Sequence, residues 1–528
     1  MSVLDRLKPK SFKPRYPKWM VGRPLLIGSS ALASLGDAMF GYSQGAIAAI
    51  QLEPTFIKRF FGKTVTMEQI RTGQTGVRPE IQAITVSCLN LTALVAAFAS
   101  AYICDVLGRR MSIRIGAVIY FIAAFIQIFA PNLGALVAGR SIQGIGVGML
   151  SMTVPILQCE IAPGHARGLF VAIEYLCLNM GYLLASWVGY GFFFALPSSI
   201  SWRGPYVVQA ALAGVLVAWS FILPETPRFL ASVGLEKEAL LVLADLHANG
   251  NQDDPEVQKS FKEIVAAIKY EQHLEQASWK QLFTQYTRRT VMGITCQLFA
   301  QFNGINAILY YLPSNLTRAG FTIARALLYS GVSAIVYCLG TIPTMFLIDR
   351  WGRRVFFITG SIGLGACLAT VGGLQYKGDS LPEGGAELPW GPAPYLLGAE
   401  IFPMRARAKG MALSTVSNWL SNFIIAFITP LLFAAINAAY YFILLGCCVI
   451  SGLFVFFVYP ETAHRTLEEL GEVFGDKVGD MEPAQVAQTL QVPRENSDVA
   501  SESSTLRASI AEDSVKSVRL RKEEGELS

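Results

Sequence analysis

The run Asp105-Val-Leu-Gly108-Arg109-Arg110 returns as Asp349-Arg-Trp-Gly352-Arg353-Arg354. Two further signals follow it twice, in the same order. Glu160-Ile-Ala-Pro163-Gly-His-Ala-Arg167-Gly168 is matched by Glu400-Ile-Phe-Pro403-Met-Arg-Ala-Arg407-Ala-Lys409-Gly410. Pro224-Glu225-Thr226-Pro227-Arg228 is matched by Pro460-Glu461-Thr462-Ala-His-Arg465. Each signal sits at the end of an apolar stretch. Three signals duplicated in order imply a chain of two related halves.

The stretches between the signals set the fold class. The chain has 528 residues, of which 52% are hydrophobic and 15% charged, and its mean hydropathy is +0.42. A soluble globular protein carries about 25% charged residues. A bilayer core needs ~20 apolar residues per helix. Segments near 25–50, 81–104, 112–130, 135–158, 169–196, 204–223, 291–313, 325–348, 355–374, 410–433 and 437–458 meet that length. Without water in the core, each must be a helix that satisfies its own backbone. The expectation is an all-α, polytopic membrane protein. Its divisions would be a basic N-terminus (1–24), a first bundle (25–223), a polar helical linker (224–290), a second bundle (291–458) and a polar tail (459–528), mostly disordered.

Lys and Arg at the span ends predict orientation. Arg6, Lys8, Lys10, Lys13, Arg15, Lys18 and Arg23 precede the first span, and the Gly-Arg-Arg turns fall on the same side. The loop at 51–80 opposes this with Lys58, Arg59, Lys63, Arg71 and Arg78. The balance favours both termini in the cytoplasm and a plasma-membrane location. No cleavable signal peptide is visible, because the first apolar stretch is too long for one.

Duplicated basic turns have a physical use. Arg in a tight Gly turn can reach a carboxylate on a neighbouring helix end, and such pairs can latch a bundle in one state. The candidates are Asp105, Arg109, Arg110, Glu160, Arg167, Glu225, Arg228, Asp349, Arg353, Arg354, Glu400, Arg407 and Glu461. The plainer alternative is anchoring at the membrane surface. Enzymatic readings find little support. The four histidines lie in loops or tails without metal or triad spacing, and no phosphate-binding Gly-Lys-Ser/Thr loop is present. The nine cysteines lie in or beside apolar stretches without metal-ligand spacing and read as small hydrophobes. No cofactor and no nucleic-acid partner is expected, and the chain reads as a monomer. Internal repeats of this kind typify secondary transporters.

These residues resemble the sugar porter branch of the major facilitator superfamily, of fungal type, from about residue 20 to 470. The resemblance also rests on Ala138-Gly139-Arg140 with Gly144 and Gly146, on Gly304-Ile305-Asn306 with Tyr310-Tyr311, on Trp390-Gly391-Pro392 and on Asn418-Trp419. It implies twelve helices in two bundles of six, a central solute site and alternating access.

A sugar needs amides that donate and accept, and rings to stack on. Polar side chains within a span are costly and usually face a cavity or another helix. The solute-binding candidates are Gln297, Gln301, Asn303, Asn306, Tyr310, Tyr175, Tyr395, Asn418, Trp419 and Asn422. Gln297 with Gln301, Asn303 with Asn306 and Asn418 with Asn422 can each share a helix face. Where the family carries amides, this chain has Ala300, Tyr175 and Tyr337, and Tyr395 replaces a tryptophan. Hexose, pentose, polyol and quinate-like acid all remain candidate solutes.

Proton-coupled members resemble Phe-Gly-Tyr-Asp-x-Gly in the first span. Here the run is Phe40-Gly41-Tyr42-Ser43-Gln44-Gly45, and Ser43 cannot titrate. Facilitated diffusion is therefore favoured, with a proton as second partner through Asp37 or Glu174 as the alternative. Arg140, also intramembrane, needs a partner. Finally, 375–388 is polar, leaving about thirteen residues, Pro389 to Ile401, for a tenth helix. Three explanations stand: a coding sequence that has lost a segment, a short or re-entrant helix, or a non-transporting sensor.

Overall fold

The computed structural model describes residues 14–71, 76–163, 167–273, 278–377 and 404–461. The polar tail beyond 461 and the tenth segment, with Tyr395 and Glu400, lie outside them. The N-terminal bundle comprises α1 (Arg23–Ile50), α2 (Pro79–Leu107), α3 (Arg109–Ile128), α4 (Leu133–Ile161), α5 (Arg167–Phe193) and α6 (Ile200–Trp219). The C-terminal bundle contributes α7 (Thr287–Phe302), α8 (Ile305–Arg318), α9 (Ile323–Trp351), α10 (Arg353–Lys377), α11 (Met404–Ile436) and α12 (Ala439–Val458). Shorter helices Pro227–Ser232, Glu236–His247, Pro255–His273 and Trp279–Thr284 lie between α6 and α7.

Local chemistry sets the helix ends. Pro24 and Pro79 occupy first-turn positions, where no N–H is missed. Asn132 accepts the Ala135 N–H at 2.9 Å and caps α4. Among the described residues, eight helices are long and apolar enough to cross a bilayer. α1 is not one of these, because it carries Ser29, Ser30, Ser34, Asp37, Ser43 and Gln44, all buried inside the protein. Apolar side chains are instead exposed on the outer faces, as with Val95 and Phe98 on α2, Ile362 on α10 and Phe457 on α12. That inversion suits lipid as the solvent.

The seventh span differs from its sequence reading. It breaks at Asn303–Gly304 into α7 and α8. Gly304 takes φ +96°, a conformation a side chain resists, and a Cβ there would lie 2.9 Å from Leu444. The break rotates Asn303 and Asn306 onto different faces, so their three-residue spacing does not bring them together.

Close backbone approach fixes α1 against α5. A Cβ on Gly41 would lie 1.9 Å from the Leu178 carbonyl oxygen, and one on Gly181 would lie 1.8 Å from that of Ala38. The bundles meet where α2 packs on α11, α5 on α9 and α1 on α8. On the linker side, the Tyr16 hydroxyl donates to Asp245 at 2.7 Å and the Gly22 N–H to the Asp245 carbonyl at 2.6 Å. The N-terminal segment is thereby tied to the helix Glu236–His247. Burial and the neighbouring carboxylate push the Tyr16 phenol up.

Candidate functional site

Most of the polar side chains that the sequence singles out in the C-terminal bundle converge on one hydrogen-bonded chain between the bundles. Gln301, at the end of α7, donates to Asn418 on α11 at 2.7 Å. Asn306, on the first turn of α8, donates to Gln301. Gln44 on α1 donates to Asn306 and to the Tyr310 hydroxyl, both at 3.2 Å. Tyr310 donates to Asn90 on α2 at 3.2 Å, and Asn90 donates to Asn422 on α11 at 2.9 Å. All seven residues are buried. Trp419 is buried beside them, with its ring 5.0 Å from that of Phe40 on α1.

Five of the ten solute-binding candidates thus join: Gln301, Asn306, Tyr310, Asn418 and Asn422. Asn303 does not. Its Oδ1 accepts from Ser451 on α12 at 3.0 Å, because the chain turns at Gly304 immediately after it. Gln297 is buried one turn earlier on α7. Tyr175 on α5 meets Tyr337 on α9, hydroxyl to hydroxyl, at 2.8 Å, and Asn179 donates to Thr341 at 2.8 Å beside it. The two phenols that stand at amide positions of the family therefore bond to each other across the bundle interface. Tyr395 lies outside the described residues.

Sequence reading missed Gln44 and Asn90, the N-terminal half of the chain of bonds. Their signal was available, since an uncharged amide in the middle of a span is as costly in either half. Gln51 extends the contact outward, donating to the Tyr310 carbonyl at 2.8 Å and accepting from Gln82 at 3.0 Å.

The three charged candidates separate into two groups. Arg140, 1% exposed, was expected to need a partner. It donates to the backbone carbonyls of Thr85 at 2.7 Å and Val86 at 3.1 Å on α2. A delocalised guanidinium with five donors can be satisfied this way. Asp37 and Glu174, by contrast, face each other between α1 and α5, within reach of a shared hydrogen bond.

The duplicated turns use their carboxylates in a way the sequence did not suggest. Glu225 accepts from the backbone N–H groups of Arg109 at 3.0 Å and Arg110 at 3.2 Å, at the first turn of α3. Glu461 does the same for Arg353 at 2.9 Å and Arg354 at 3.0 Å on α10. These glutamates cap helix N-termini, where the dipole favours a negative charge. Burial still pushes the Glu225 carboxyl up to about 7, against those N–H bonds and the nearby arginine charges. The expected guanidinium pairing occurs at Arg109, which meets Glu160 at 2.8 Å and Asp105 at 3.5 Å. Thr226 locks the arrangement by donating to Glu160 at 2.5 Å. Arg228 is half-buried beside this cluster. The side chains of Arg167, Asp349 and Arg407, and all of Glu400, lie outside the described set.

The family model described as "Sugar (and other) transporter" matches residues 30–474. The chain belongs to that family. It is a multi-pass membrane transporter of the sugar-transport class and not an enzyme. It is 30% identical over 476 residues to the low-affinity glucose transporter HXT4 of Saccharomyces cerevisiae, covering 85% of this chain and 80% of that one. It is 31% identical over 485 residues to the probable glucose transporter rco-3 of Neurospora crassa, covering 85% and 80%. It is 30% identical over 475 residues to the major facilitator-type transporter ecdD of Aspergillus rugulosus, covering 84% and 86%. In fold, the transporter matches the proton:xylose symporter XylE bound to 6-bromo-6-deoxy-D-glucose. That match has a TM-score of 0.70 and 24% identity, and covers 85% of this chain and 99% of the other. The inward-open conformation of XylE matches with a TM-score of 0.68. The architecture is therefore the major facilitator fold.

Proposed function

We propose that the transporter carries a sugar or sugar-like polar solute by alternating access, binding it in place of the amide chain between Asn418 and Asn422. One observation carries this reading. The bonds from Gln301 through Asn306, Gln44, Tyr310 and Asn90 belong to α7, α8, α1 and α2, so both bundles share one set of exchangeable amides. An amide–amide bond contributes about 1 kcal/mol net. A solute hydroxyl, donor and acceptor at once, can replace it at little cost. The bundles can then separate on one side without leaving a buried amide unpaired. Trp419 and Phe40 offer the apolar surface that a sugar ring also needs.

Hexose is the first solute to test, given the glucose transporters among the relatives; pentose, polyol and quinate-like acid follow. The paired phenols Tyr175 and Tyr337 favour a solute with fewer hydroxyls than hexose, or with an apolar or carboxylate group. The N-terminus and linker are assigned to the cytoplasm of a plasma-membrane monomer, and the Gly-Arg-Arg turns to the cytoplasmic gate.

The test is uptake of labelled glucose, xylose and quinate in a host lacking its own carriers, with surface expression verified. Uptake of any one, lost in Gln301→Ala, supports the carrier reading. Surface expression without uptake of any of the three would favour the sensor alternative, which the polar stretch 375–388 motivates.

A further inference from the structure

We propose that Asp37 and Glu174 form a proton-binding pair between α1 and α5 that couples solute movement to a proton gradient. The inference rests on the transport reading above and adds an energy source to it. It places the proton at a site other than Ser43, where proton-coupled members of the family resembled here have their aspartate.

Helix register alone brings the two carboxyl groups together. Along the α1–α5 contact, Gly41 meets the Leu178 carbonyl and Gly189 meets Ala49. Continuing that register one turn toward the Gly-Arg-Arg end sets Asp37 against Glu174. Both are buried, at 5% and 8% exposure. They lie within hydrogen-bonding reach of each other, yet Asp37 Oδ2 and Glu174 Oε2 have no hydrogen-bond partner.

Among the described residues, no cation acts on them. The titratable groups that act on Glu174 are Asp37, Cys159 of α4 and Cys177 of α5; Glu174 is the group that acts on Asp37. Arg140, the buried arginine of α4, is committed to the carbonyls of Thr85 and Val86. Nearby Ser30, Ser34 and Gln158 are neutral and bonded among themselves. Two ionised carboxylates in contact, in a medium of low dielectric and without a counter-charge, repel strongly. One proton placed between them removes one charge and turns the repulsion into a charge-assisted hydrogen bond. The pair therefore holds a proton whenever it is closed off from water.

Its position links that proton to transport. Asp37 is seven residues before Gln44, about 10 Å along α1 and on the same face. Glu174 directly precedes Tyr175, whose bond to Tyr337 crosses between the bundles. A movement that opens this interface changes the water access of the adjoining carboxylate. Solute exchange at Gln44 and proton exchange at Asp37–Glu174 then share α1 as a common moving part.

Two measurements on the purified full-length chain test the pair. In the infrared spectrum at neutral pH, the wild type should show a protonated-carboxyl carbonyl band besides those that Glu53 and Glu225 contribute, and Asp37→Asn and Glu174→Gln should each abolish or shift it. In proteoliposomes with labelled D-glucose, a gradient acidic outside should drive accumulation several-fold above equilibrium. Normalised to counterflow, which needs no net proton movement, that accumulation should fall to one in either variant. A carbonyl band unchanged in both variants, or accumulation equal with and without the pair, overturns the proposal. Wild-type counterflow without gradient-driven accumulation also overturns it. Absence of counterflow in the wild type counts against glucose as the solute; the infrared band then decides the pair separately.

Discussion

Asn90 donates to Asn422 and accepts from Tyr310, so two bonds between the bundles depend on one small amide. Truncating it leaves both partners buried and short of a bond, at a cost of about 1–3 kcal/mol. Asn90→Ala should raise the KM for the transported solute roughly ten-fold, as measured by initial uptake rates, while surface expression persists. An unchanged KM would remove Asn90 from the site. Glu53, just beyond the end of α1, titrates on its own account. Burial pushes its carboxyl up to about 7, against the opposing influence of the nearby Ser201 and Thr55 hydroxyls. The folded state thus binds the proton more tightly than the unfolded chain, whose glutamate titrates near 4.5. The sign follows: stability is highest below the unfolded value, falls as pH rises from about 4.5 to about 7, and is level above that. The loss from this group is at most about 3 kcal/mol. Glu53→Gln should flatten that part of the pH profile of thermal unfolding in detergent. A variant profile parallel to wild type would refute the assignment.

Among the elements, the broken seventh span and the α1–α5 contact carry the most consequence. Gly304 both turns the chain and lets Leu444 sit against it. Gly304→Ala forces a positive φ on a residue with a Cβ and should cost about 1 kcal/mol or more. It would also misplace Asn306 relative to Gln301. A lowered unfolding midpoint together with a raised KM is the expected pair of results. A change in the midpoint alone would show that the break is merely structural. Glu225 serves α3 as a cap, and Glu225→Ala should destabilise by about 1–2 kcal/mol. If Glu225 instead acted chiefly through guanidinium pairing, Arg110→Ala would match that loss, which is not expected. Gly41 and Gly181 explain why the α1–α5 contact is so close that two acids on it must meet. Neither glycine stands out in the sequence, where each is one small residue among many in an apolar run.

For the whole molecule, the interface between the bundles is where function is decided. α5 meets α9 through Tyr175–Tyr337 and Asn179–Thr341, and α2 meets α11 through Asn90–Asn422. Alternating access requires one of these seams to open while the other holds. In a cysteine-free background, Asn179→Cys with Thr341→Cys, joined through disulfides by a short bis-methanethiosulfonate cross-linker, should arrest uptake, and reductant should restore it. Uptake that survives complete cross-linking would mean that this seam does not move. The spans, the duplication and the basic turns were legible because each is a local property: apolar length, motif order and the charges next to them. The amides of α7, α8 and α11 were legible as a set for a similar reason, since a polar group inside a span must have some partner. The sequence could not say which partner. Periodicity tells which residues share a face, but not which face meets which neighbour. Only the tertiary structure decided that Asn303 turns away at Gly304, that Gln44 and Asn90 complete the site, and that Arg140 takes backbone carbonyls. The same packing leaves Asp37 and Glu174 facing each other, with no cation acting on them among the described residues.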